Sequence, residues 1–187
     1  MGDNYVTNPL GFLVSTIFGL YILVVMLRFL MGWVRADFYN PVSQFLVRLT
    51  NPVLVPLRQV IPSAGRVDMA TVLLLVSLQM LELLILSWLK AGHVPFIGLF
   101  IWSLAELANL MLNVFLFSIL IQAILSWVNP GTYNSISSIL HSLNEPILGP
   151  VRRYLPPLGG IDLSPLLAII CLQVVKMLLI PPLLHLV

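Results

Sequence analysis

Charge is scarce in this sequence: Asp, Glu, Lys and Arg make up 9% of its 187 residues, with nine basic side chains against seven acidic ones. That is too little to cover a soluble domain or to build a basic face for nucleic acid. Cysteine is reduced to Cys171, which excludes an intramolecular disulfide and any paired-cysteine metal or haem motif. The three histidines, His93, His141 and His185, form no helical pair able to hold a haem or metal between spans. Neither G-x-x-x-x-G-K-[ST] nor H-E-x-x-H occurs. No serine has an evident His and acidic partner at matched depth. The sequence therefore offers no catalytic group, and no cofactor or metal is expected.

What is present is apolar length. Hydrophobic residues make up 59% of the chain and the mean hydropathy is +1.04, which marks a membrane protein. A hydrocarbon core of ~30 Å takes about 20 helical residues. The runs near 10–34, 69–89, 104–128 and 163–187 meet that length. The third run is extended back to Pro95, so the residues before Leu104 are expected along the interface. The first run is preceded by Asp3 rather than lysines and lacks a small-residue cleavage site, and so reads as an uncleaved anchor. Arg35, Arg48, Arg58 and Arg66 lie between the first two runs, and Arg152 and Arg153 between the last two. This bias is expected to put both long loops of a multi-pass protein in the cytoplasm and both termini on the opposite side.

One unit is used twice. Trp33 and Trp127 are separated by 127 − 33 = 94 residues, and the same offset relates Tyr39 to Tyr133, Asn40 to Asn134, Pro52 to Pro146, Arg58 to Arg152, Pro62 to Pro156, Gly65 to Gly159, Asp68 to Asp162 and Gln79 to Gln173. The units are 1–94 and 95–187. Each holds two spans, so both enter the membrane with the same orientation, which predicts a parallel repeat about a pseudo-twofold axis along the membrane normal.

Between the spans of each unit, Asn40 and Asn134 are suited to N-cap a helix, and Pro41 suits its first position. Val42, Phe45, Leu46 and Leu49 then fall on one face, as do Ile136, Ile139, Leu140 and Leu143. About ten residues, ~15 Å at helical rise, cannot cross a bilayer, so these helices are expected in the interface. Periodicity leaves open whether the stripe meets lipid or the bundle. Pro52, Pro56 and Pro62, like Pro146, Pro150 and Pro156, are expected to break the helix and return the chain to the membrane. Gly65 and Gly159 supply a corner, Asp68 and Asp162 cap the next spans, and Arg48, Arg58, Arg152 and Arg153 are placed for anionic headgroups.

At these residues the sequence resembles the YggT family, most closely in "EPILGPVRRYLPPLGGIDLSPLLAIICLQ", Glu145 to Gln173. The first copy departs from the pattern, with Ser63 for the second proline, Arg66 for the second glycine and Ala70-Thr71 for Ser-Pro. The resemblance implies a small bacterial inner-membrane protein with a role in osmotic or extracytoplasmic stress tolerance. Plastid relatives are linked with haem attachment during cytochrome b complex assembly. No catalytic residues come with it.

Polar residues inside the spans are candidates for function because burying them is costly. Arg28 lies near the end of its span and can snorkel. Glu82 and Lys176 occupy equivalent positions, one turn beyond Gln79 and Gln173, and are expected to form a central ion pair. Glu106, Asn109 and Asn113 form a stripe in the third span, while Gly11, Ser15 and Gly19 form a small-residue face in the first, and the two are expected to meet closely. This polar set either glues helices together or forms an ion path. The leading function is a non-enzymatic protein of envelope homeostasis or membrane-complex assembly, acting with another membrane protein, and homo-oligomerisation stays open. A small channel or transporter is the alternative, and an intramembrane enzyme the weakest.

Overall fold

The computed structural model describes residues 3–65, 67–90, 92, 95–128, 134–154 and 162–184. The expectations for Arg66, His93, Tyr133, Pro156, Gly159 and His185 lie outside them. Six helices follow one another: α1 (Asp3–Trp33), α2 (Pro41–Val60), α3 (Met69–Leu89), α4 (Phe96–Val128), α5 (Ser135–Tyr154) and α6 (Ser164–Leu184). Four stretches, Asn8–Val34, Met69–Leu89, Phe96–Val128 and Ser164–Leu184, are long and apolar enough to span a membrane. Within α4 the residues before Leu104 do not lie apart: the helix runs unbroken for 33 residues, because no proline follows Pro95 to interrupt it.

Local chemistry sets the helix ends. α1 stops where the Ala36 N–H donates to Met31 O at 2.9 Å and the Arg35 N–H to Gly32 O at 3.3 Å, with Arg35 at φ 56°. These paired bonds satisfy the last carbonyls by placing one residue in the left-handed region, a position usually held by glycine. α2 begins at Asn40, whose Oδ1 accepts from the Val42 N–H at 3.0 Å. Asn134 does the same for α5, accepting from the Ser137 N–H at 2.7 Å. The corner before α3 turns at Gly65, φ 61°.

The short amphipathic helices correct one expectation. α2 continues through Pro52 and Pro56, and α5 through Pro146 and Pro150, so each has 20 residues rather than about ten. A proline removes the bond to the carbonyl one turn earlier. Spaced by four, both prolines of each helix fall on one side, and Pro52, Pro56, Pro146 and Pro150 are all exposed. The freed carbonyls thus point outward, where solvent can bind them. The opposite face of α2, Ser43, Leu46, Thr50 and Leu54, is buried. Phe45 and Leu49 of the predicted stripe are exposed instead. In α5, Ile139, Leu140, Leu143 and Leu148 are buried and Ile136 is not. Each helix therefore lays one face on the bundle and leaves part of its stripe outside.

Within each half the first span packs along the second, α1 on α3 and α4 on α6. Between halves α3 packs along α4, whereas among the described residues α1 and α6 make no contact, nor do α3 and α6. A pseudo-twofold axis would require α6 to meet α1 as α3 meets α4, so the described arrangement departs from it. The order across the bundle is α1, α3, α4, α6. Its main core joins Ile22, Val25, Met26 and Leu30 of α1 to Leu74 and Leu75 of α3, with Phe115 of α4, Leu54 of α2 and Leu143 of α5 closing the cluster.

Candidate functional site

The position of α4 between α3 and α6 decides how the intramembrane polar residues are satisfied. Lys176 Nζ donates to Asn113 Oδ1 at 2.6 Å, from α6 to α4. Glu82 and Gln79 are both buried on α3, and Gln79 Nε2 donates to Glu82 Oε2 at 3.0 Å. The expected Glu82–Lys176 ion pair is not formed, because their helices do not touch. Glu106 accepts from Trp102 Nε1 at 3.3 Å, within its own helix. Asn109 Oδ1 is buried without a hydrogen-bond partner among the described residues. Gln173 is only partly buried, and its amide has no partner among the described residues.

The small-residue face of α1 does not meet the α4 stripe. A Cβ on Gly11 would first reach Leu86 of α3 at 3.7 Å, and a Cβ on Gly19 would have nothing within 4 Å. Ser15 Oγ donates back to Phe12 O at 3.0 Å. α1 turns its packed side to α3, so no close approach to α4 requires glycine there.

A second polar set, Thr50, Ser118, Gln122 and Asn144, was not singled out by the sequence reading. Arg28 Nη1 donates to Thr50 Oγ1 at 2.5 Å and to Val47 O at 3.0 Å, tying α1 to α2. Asn144 Nδ2 donates to Gln122 Oε1 at 2.7 Å, tying α5 to α4, and Ser118 Oγ donates to Asn144 Oδ1 at 2.6 Å. Gln122 stands 94 residues after Arg28, and Asn144 94 after Thr50. The offset applied to non-identical polar positions was the signal that would have found them. Arg28 therefore turns to α2 rather than snorkelling to bulk water.

A third set fixes the corners. Arg58 Nε donates to Asp68 Oδ2 at 3.0 Å, and Asp68 also accepts from Thr71 as the cap of α3. Arg152 Nε donates to Asp162 Oδ2 at 3.1 Å, while Asp162 Oδ1 accepts from the Ser164 N–H at 2.9 Å. Arg152 also meets Glu145 at 3.3 Å. Burial alone would raise the Asp68 carboxyl, but the bonds from Arg58 and Thr71 outweigh it and hold it below its ordinary value. At Asp162 burial is likewise outweighed by Ser164 and Arg152, and the direction is the same. Arg48 and Arg153 are exposed and form no ion pair among the described residues. Asn40 Nδ2 donates to Ser135 O at 2.7 Å, which pins the start of α2 to that of α5. Among the described residues no three His, Cys, Asp or Glu side chains converge on a metal position.

The CCB3/YggT family model matches residues 7–89 and again 101–183. Similar chains include an uncharacterised protein of Pseudomonas aeruginosa, 46% identical over 90% of this chain and 87% of its own. The uncharacterised protein YggT of Escherichia coli K12 is 40% identical over 91% of this chain and 88% of its own. The chloroplastic YlmG homolog protein 2 of Arabidopsis thaliana matches at 38% identity over 33% of this chain and 24% of its own. No solved structure matches. The two family matches together cover most of the chain, and the chain belongs to the CCB3/YggT family.

Proposed function

We propose that this is a non-enzymatic protein of the bacterial inner membrane that supports envelope stress tolerance by assisting assembly of membrane protein complexes, holding another membrane protein along α6. The observation that carries this reading is Gln173. Its counterpart Gln79 is buried and bonded to Glu82, whereas Gln173 sits on a membrane helix with an unpartnered amide. A primary amide left without a partner in hydrocarbon is costly, and a neighbouring helix offering a donor or acceptor removes that cost. Around it Ile170, Val174 and Met177 are 51%, 49% and 63% exposed, where the corresponding α3 residue Leu83 of the last is 6% exposed. The proposed frame is two parallel units with loops in the cytoplasm and termini in the periplasm, and Arg48 and Arg153 against anionic headgroups.

Lys176 bonded to Asn113 and Gln79 bonded to Glu82 favour a structural role for these groups over an ion path. The test is affinity capture from native bacterial membranes in mild detergent. The reading expects a stoichiometric membrane protein that is lost with Gln173→Leu. Potassium, sodium or proton flux in liposomes that Glu82→Gln abolishes would replace it with transport.

A further inference from the structure

We infer that a cavity beside α2 binds a phosphate-bearing anion, delivered by a phospholipid headgroup or free in solution. The cavity, ~330 Å³, lies between the end of α1, the inner face of α2 and the corner residues Ser63, Gly65, Val67 and Asp68, and both Arg28 and Arg58 line it. Ser63 adds a hydroxyl, the Ser43 Oγ–H being already donated to Asp37 O at 2.8 Å, and Met31 and Leu46 add apolar wall. Two guanidinium groups thus face one space with Asp68 as the acidic group among them.

Asp68 is already committed. It accepts from Arg58 and caps α3 through Thr71, so its hydrogen bonds are taken up there and none goes to Arg28. Arg28 makes both of its bonds through Nη1, to Thr50 and Val47, and forms no ion pair among the described residues. Its Nε and Nη2 donors have no partner among the described residues, and neither is fully buried. A guanidinium carries five donors in a planar fork suited to phosphate oxygens, and here most of that fork is unused beside a second arginine. An uncompensated charge in this partly buried setting is costly, which an anion would relieve. The apolar wall beside the fork suits an acyl chain when a lipid supplies the phosphate.

The second half of the chain supplies an internal control. Gln122 stands where Arg28 does and makes the equivalent bond, accepting from Asn144 where Arg28 donates to Thr50. The tie between span and amphipathic helix thus needs no positive charge, and the charge at Arg28 is left over for a ligand.

The experiment uses the full chain purified in dodecyl maltoside. Thermal unfolding and native mass spectrometry are followed while titrating dioleoyl phosphatidylglycerol, dioleoyl phosphatidylcholine or inorganic phosphate. Arg28→Gln copies the second half and keeps a donor for Thr50, and Lys90→Gln removes an exposed charge at the far end of α3. The expected result is saturable stabilisation by phosphatidylglycerol, weakened tenfold or more in Arg28→Gln and unchanged in Lys90→Gln. Stabilisation by inorganic phosphate with the same dependence on Arg28 assigns the site to a free anion, and its absence assigns the site to a lipid. Should Arg28→Gln not fold, as judged by circular dichroism and gel filtration, Ser63→Asp puts a negative charge at the mouth and is expected to weaken binding likewise. Equal response to phosphatidylcholine, or equal loss in Arg28→Gln and Lys90→Gln, or no loss in Arg28→Gln and Ser63→Asp, overturns the inference.

Discussion

Lys176 bonds to Asn113 and not to Glu82, although Glu82 is its counterpart 94 residues earlier. The partner is decided by which helix stands next to α6, and that is α4. A double-mutant cycle between Lys176→Leu and Asn113→Leu is therefore expected to show coupling of about 0.6 kcal/mol, and up to ~1.7, the range for hydrogen bonds between membrane helices. The cycle between Lys176→Leu and Glu82→Leu is expected to be additive within ~0.5 kcal/mol. Unfolding in mixed micelles measures both, and the reverse pattern would restore the ion pair.

The two arginine–aspartate corners give the protein an acid limit. Both carboxyls are held below their ordinary value in the folded chain, so their contribution is fully present above the unfolded value of ~3.9 and is lost as pH falls through the folded values. The melting temperature is expected to drop below about pH 4 and to change little between pH 5 and 7 on account of these groups. Asp68→Asn together with Asp162→Asn is expected to flatten that acid limb, as thermal scans across the pH range would show.

Arg35 occupies a left-handed position where a side chain costs energy and glycine does not. Arg35→Gly is expected to stabilise the chain by about 1 kcal/mol, and Gly65→Ala to destabilise it by about 1–2 kcal/mol. Space is not the issue at Gly65, where an added Cβ would meet nothing within 4 Å. Equilibrium unfolding of the two variants tests the backbone assignment independently of any function.

The continuity of α2 through its prolines is directly measurable. Spin labels on the exposed positions 45 and 60, in a Cys171→Ser background, are expected ~22 Å apart at helical rise across those fifteen residues. An extended break at Pro52 would lengthen the distance well beyond that.

Spans and caps were legible because each rests on local chemistry: apolar length, and Asn40 and Asp68 ahead of helices. The course of α2 through Pro52 and Pro56 was not, since whether a proline ends a helix depends on where its orphaned carbonyl points, which is a property of packing. The pairing of Glu82 with Lys176 failed for a related reason. Equal depth in two repeats fixes height in the membrane but says nothing about lateral neighbours, and α4 separates the two helices. Gly11, Ser15 and Gly19 showed that a small-residue face permits close approach without compelling it.

The unpartnered Gln173 beside exposed Val174 and Met177 makes the central claim testable at one surface. A photo-crosslinking amino acid at Met177, in cells, is expected to yield a discrete protein adduct of fixed mass that Gln173→Leu diminishes. The same probe at Leu84, 51% exposed on α3 one position beyond the counterpart of Met177, is expected to yield no such adduct. If Met177 gives no protein adduct, or one that Gln173→Leu leaves unchanged, α6 faces lipid alone and the assembly reading is contradicted.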